Sequence, residues 1–101
     1  DYIAAMNRAL PAWDVVAMPT VPVAAPAIAA LSADADLFAR TNRALVRNPA
    51  LVNLMDGCAI SLPVHREGEA PVGLMLVAAG GQDARLFALA RTVEAALRDG
   101  S

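Results

Sequence analysis

From Val72 to Ala79 the chain reads Val-Gly-Leu-Met-Leu-Val-Ala-Ala, without one polar side chain. Successive side chains of a strand point to opposite faces, so an apolar run with no alternation predicts a strand buried on both faces. Such a strand needs a layer above it and a layer below it, which implies a layered α/β sheet. Gly80-Gly81 closes the run as a turn.

Two further strands are expected beside it. Asp14-Val15-Val16-Ala17-Met18 reads as a short buried strand stopped by Pro19, and Cys58 to Val64 as another. Only the polar turn Arg66-Glu67-Gly68-Glu69 and its flanks separate this second strand from the Val72 run. A parallel pair needs about a dozen or more residues to cross over. Ala59 to Val64 and Val72 to Ala78 are therefore expected as antiparallel neighbours.

Helical spacing appears in three places. Tyr2 to Leu10 puts Ile3, Met6 and Leu10 on one face, and Pro11 ends it. Ser32 reads as an N-cap, with Asp34 and Asp36 near the positive end of the helix dipole. That helix should run to about Val46, with Leu37, Thr41 and Leu45 inward, and break at Asn48-Pro49 before a short helix or turn over Ala50 to Met55. Asp83 can cap the last helix, where Leu86, Leu89, Ala90, Val93 and Leu97 form an apolar stripe. Arg85, Arg91, Glu94 and Arg98 lie mostly off that stripe, and Gly100 suits the helix end. The Pro/Ala-rich stretch from Pro19 to Ala30 is too apolar for a solvated linker and is expected to lie along another surface.

Hydrophobic residues make up 57% of the 101 positions, yet the large ones are few: one Trp, one Tyr and two Phe. Small domains bury a lower fraction of their surface than large ones. The apolar content therefore suggests a piece of a bigger core, and the opening Asp1-Tyr2-Ile3 reads as the middle of a longer chain. The formal net charge of −2 makes no electrostatic case for nucleic acid. The apolar stretch from Val15 to Leu31 is broken by Pro19, Pro22 and Pro26, so no membrane span is expected. One cysteine, Cys58, rules out an internal disulfide.

Little in the chain can carry chemistry alone. Its nucleophile candidates are Ser32, Ser61, Ser101 and Cys58, and none sits in a Gly-x-Ser-x-Gly elbow. Ser61 falls inside a strand, where its hydroxyl is expected to satisfy a local hydrogen bond. Cys58 reads as a small buried apolar residue. His65, the one histidine, reads as a solvated surface residue. No His/Cys/carboxylate cluster has metal-ligand spacing, and no lysine accompanies Gly80-Gly81 as a phosphate loop would require. No cofactor is expected. Asn48, Asn53 and Asp56 cluster before the second strand, where polar groups pin loops or face a pocket.

Three segments, in order, resemble the C-terminal third of amidase-signature enzymes. Trp13-Asp14-Val15-Val16-Ala17-Met18-Pro19-Thr20 is similar to that family's aromatic-Asp, apolar strand and Pro-Thr. Asn53-Leu54-Met55-Asp56-Gly57-Cys58-Ala59-Ile60-Ser61-Leu62-Pro63 resembles the common Asn-Leu-Thr-Gly-Leu-Pro-Ala-Ile-Ser-Val-Pro. Ala70-Pro71-Val72-Gly73-Leu74-Met75-Leu76-Val77 resembles Leu-Pro-Val-Gly-Leu-Gln-Leu-Ile. Beyond it the family has an acidic residue, an apolar helix and a late Glu, matched by Asp83, Leu86 to Ala90 and Glu94. Asp56 stands where glycine is usual and Cys58 where proline is usual. The Asn-x-x-Asp version is similar to some general bacterial amidases and to allophanate hydrolases.

The resemblance implies the C-terminal part of a layered α/β/α fold with a mixed sheet, contributing three strands and about three helices. Residues 1–101 would be a segment, not an autonomous domain. The family cuts linear amides with a Ser–cis-Ser–Lys triad, which would lie upstream. The chain has no lysine: all eight of its basic residues are arginines. Its expected contribution is sheet strands, a covering helix and, through Asn53 and Asp56, part of a substrate-pocket wall. The expected partners are the remainder of the parent amidase or another copy of the chain, with a small amide substrate in the intact, cytoplasmic enzyme. The alternatives are a segment of the A subunit of a glutamyl-tRNA amidotransferase, or a structural module without catalysis.

Overall fold

The computed structural model describes residues 1–99. Along the chain come α1 (Tyr2–Ala9), a short 3-10 turn (Leu10–Ala12), β1 (Val16–Pro19), α2 (Ile28–Ala33), α3 (Ala35–Leu54), β2 (Cys58–Pro63), β3 (Gly73–Ala78) and α4 (Asp83–Asp99). The expected helix end at Gly100 lies outside the described residues.

β3 is the middle strand of a three-stranded sheet in the order β1-β3-β2. Val16 pairs with Val77 on one side, and Ile60 pairs with Leu76 on the other. Both pairings are antiparallel, as the short β2–β3 connection requires. The parallel pairings of a mixed sheet are not made among the described residues. Pro19 ends β1 opposite Leu74, at the edge-strand position where a missing N–H is tolerated.

The apolar run of β3 divides its side chains between two cores. Met75 and Val77 pack with Leu10, Val52 and Met55, on the face lined by α1, the 3-10 turn and α3. Leu76 and Ala78 pack with Leu62, Leu86 and Ala90, on the face lined by α4. The cover is diagonal. On the α4 face, Cys58, Ile60 and Leu62 of β2 are sheltered; on the α3 face, Val16 and Met18 of β1 are. The outward residues of the edge strands, Ala17 of β1 and Ala59 and Ser61 of β2, are exposed.

Two local expectations need correction. Ser32 lies inside α2, exposed, and caps nothing; Asp34 is the N-cap of α3, accepting from the Leu37 N–H at 3.0 Å. The break at Asn48-Pro49 is absent, because α3 runs unbroken through Pro49 to Leu54. A proline in a helix interior costs roughly 3 kcal/mol. Here tertiary contacts on both sides of it offset that cost. Asn48, buried, donates from Nδ2 to the Pro19 carbonyl at 2.8 Å, the Tyr2 hydroxyl donates to the Leu51 carbonyl at 2.8 Å, and Val52 and Met55 anchor the last turn in the core. Leu37 and Thr41 are half-buried as expected, and Leu45 is more exposed, at 38%.

Candidate functional site

The end of α3 explains why glycine is usual at position 56. The Gly57 N–H donates to the Val52 carbonyl and the Asp56 N–H to the Asn53 carbonyl, both at 3.1 Å. This is a Schellman closure, in which the residue after the C-cap takes the left-handed conformation. Asp56 does so, with φ +56°. Glycine adopts that conformation without steric cost, whereas another L-residue is strained by about 1–2 kcal/mol. Replacing Asp56 by glycine relieves that strain and adds roughly 0.5–1 kcal/mol of unfolded-state entropy. The expected net gain is about 0.5–1 kcal/mol, read as a higher urea midpoint. A lower midpoint would show that the carboxylate makes a compensating contact.

The three polar residues that cluster in sequence do not act together. Asn48 is buried in the bond to Pro19, so it is a structural clamp between α3 and β1. Asn53 is exposed, and its carbonyl holds the turn. Among the described residues, only Asp56 of the three lines an open depression of about 530 Å³, with Ile3, Asn7, Cys58, Gly81 and Asp83 around it. Its floor is two glycine-bearing turns seated against each other. A Cβ on Gly57 would fall 2.8 Å from the Ala78 carbonyl oxygen, and one on Gly80 would collide with the Asp56 carbonyl oxygen.

Cys58 borders this depression but is not an activated nucleophile. Its thiol donates to the Ala79 carbonyl at 3.4 Å, and burial, followed by the nearby Asp83 carboxylate, pushes its pKa up. The thiolate is the reactive form. Alkylation by iodoacetamide at pH 8 is therefore expected to run several-fold slower than for an unperturbed thiol such as glutathione, with the rate still climbing above pH 9. Equal rates would mean that the thiol is neither buried nor near Asp83.

The other candidates have structural work. His65 is exposed as expected, and its Nδ1 accepts the Val72 N–H at 3.1 Å, closing the β2–β3 hairpin. Glu69 accepts the Arg66 N–H at 2.8 Å in the same turn, where Gly68 takes φ +85°. Ser61 does not bond locally. Its hydroxyl meets Thr20 Oγ1 at 2.5 Å, over Gly73. The sequence-distant partner is what residue-by-residue reading missed, and a glycine within an otherwise bulky apolar strand was the available signal. A second hollow, about 250 Å³, lies beside Trp13, Val77 and Leu86, with an Asp14–Arg85 ion pair at its rim. Both partners are more than half exposed, so the pair contributes little stability. Among the described residues no group of three or more His, Cys, Asp or Glu side chains converges as a metal site requires.

Thr20, Ser61 and Gly73 come one from each of the three segments that resemble amidase-signature enzymes, and they meet at one point of the sheet. Comparison with known proteins gives the family of these segments. A family model described as Amidase matches residues 1–87. The chain is 35% identical over 88 residues to a 2-amino-5-chloromuconic acid deaminase of Comamonas testosteroni. That alignment covers 86% of this chain and 19% of the relative, so the chain spans about a fifth of the length of the protein it matches. No solved structure matches it.

Proposed function

This chain belongs to the amidase family, and on that premise we propose that it is the C-terminal portion of an amidase that hydrolyses a linear carboxamide. The nucleophile and base of the Ser–cis-Ser–Lys triad belong, on this reading, to a preceding part of the protein. This segment supplies three strands, the covering helix α4 and one margin of the substrate pocket. The observation that carries the reading is the family match across nearly the whole chain. The Comamonas relative is a deaminase by name, so carbon–nitrogen bond cleavage is the chemistry common to it and to an amidase.

Asp56 is the better placed of the two proposed pocket-wall residues, because it lines the depression; Asn53 would contribute through the turn it holds. Segment status is supported by large apolar side chains left open to solvent: Ile28 is 82% exposed, Trp13 65%, and Leu54 and Phe87 62% each. Large apolar side chains exposed in this number on one small chain suit a surface that further polypeptide covers. The remainder of the parent, or a second copy, would cover them. A cytoplasmic location is part of this reading, and the single thiol, Cys58, is compatible with it. No helix among the described residues is long and apolar enough to cross a membrane.

The test is ammonia release from a panel of linear carboxamides, measured for residues 1–101 alone and for the intact protein. Turnover is expected from the intact protein and none from the segment. Turnover by the pure segment, abolished by Ser61→Ala or Cys58→Ala, would overturn the assignment of the triad to another part of the chain.

A further inference from the structure

Gly73 begins the central strand, and a Cβ on it would stand 2.6 Å from both Thr20 Oγ1 and Ser61 Oγ. The space of the absent side chain is taken by two hydroxyls that reach over β3 from its two neighbours and meet at 2.5 Å. β1 and β2 share no backbone ladder, since β3 lies between them. The hydroxyl contact therefore ties the two edge strands directly. It acts at the last point where β1 is held. The Thr20 N–H donates to the Gly73 carbonyl at 3.0 Å, and the Pro19 carbonyl accepts from Asn48 Nδ2 at 2.8 Å. Immediately beyond lie residues 21–27, which have no helix or strand and carry Pro22 and Pro26.

We infer that Thr20 and Ser61 form a coupled positioning pair, a latch closed over Gly73 that sets where the loop of residues 21–27 leaves the sheet. The two prolines stiffen that loop, so its direction is decided largely at its root. A hydroxyl–hydroxyl bond removed from either side loses the same contact, so the two residues are energetically one unit. Gly73 is part of the device, because any side chain there displaces both oxygens. The latch rests on this geometry alone and does not depend on the amidase reading.

The experiment is limited proteolysis of the intact protein by elastase, which cuts after small residues such as the Val and Ala of this loop. Initial rates of cleavage within residues 21–27 are followed by mass spectrometry. Thr20→Val and Ser61→Ala are each expected to speed that cleavage about five- to tenfold, as loss of one hydrogen bond implies. The double variant should be no faster than either single one, and Thr20→Ser should stay near the wild-type rate. Gly73→Ala, with both hydroxyls present, should release the loop to the same extent. It keeps the test decisive if Thr20→Val fails to fold. Unchanged cleavage, multiplicative effects in the double variant, or an equal rise at sites in α4 would each overturn the latch.

Discussion

Leu76→Ala is expected to cost about 3–5 kcal/mol, the largest loss from any single apolar truncation in this chain. Leu76 is 2% exposed, sits in the middle strand and packs with Leu62, Leu86 and Ala90. Its neighbours on either side along β3, Met75 and Val77, belong to the opposite core. The backbone of β3 is held in register by β1 and β2, so the hole left by the lost side chain cannot close by moving the strand. Urea denaturation of the intact protein provides the measurement. A loss below about 1 kcal/mol would mean that the α4 face is not packed as described.

Gly80→Ala is expected to be the next most damaging change, at about 2–3 kcal/mol. The added methyl meets the Asp56 carbonyl oxygen, which is backbone and fixed by the Schellman closure behind it. No flexible side chain can move aside. Gly81→Ala serves as the control, because a Cβ there enters open space and suffers only the penalty of φ +86°. That penalty is about 1–2 kcal/mol. Thermal melts of the two variants should therefore rank Gly80→Ala below Gly81→Ala. The reverse order would show that the two turns do not seat against each other.

The reading from residues alone was most secure where one physical constraint acted without competition. An eight-residue apolar run has to be covered twice, and β3 is. A four-residue polar turn cannot carry a parallel crossover, and the β2–β3 pair is antiparallel. The stripe of α4 places Leu86 and Ala90 in the core, with Val93 and Leu97 against it. The errors came where a local rule met a distant partner. Pro49 has a strong local preference, but contacts from Tyr2 and Pro19, far away in sequence, decide how α3 continues; Ser32 lost the cap to a near neighbour, Asp34. The resemblance marked position 56 as a departure; only the left-handed φ shows why glycine is the easier residue there. Asp56 lies on the lining of the depression and Asn48 in the interior, a division that their nearness in sequence does not show. The tie between Thr20 and Ser61 spans 41 positions, and no spacing rule reaches that far.

The place of β3 in the sheet also orders events during synthesis. β1 leaves the ribosome well before its partner residues, Leu74 to Val77, are made. Through that interval β1 lacks its β3 ladder, and the loop that trails it holds no strand. β2 waits far less, because β3 comes after it by one turn. Local closure is fast and distant closure slow, so the β2–β3 hairpin should form first and capture β1 afterwards. The long helix α3, which carries Asn48 toward Pro19, is complete before the hairpin exists. Together with α1, it is in position to cover the Val16–Met18 face of β1 until the central strand arrives.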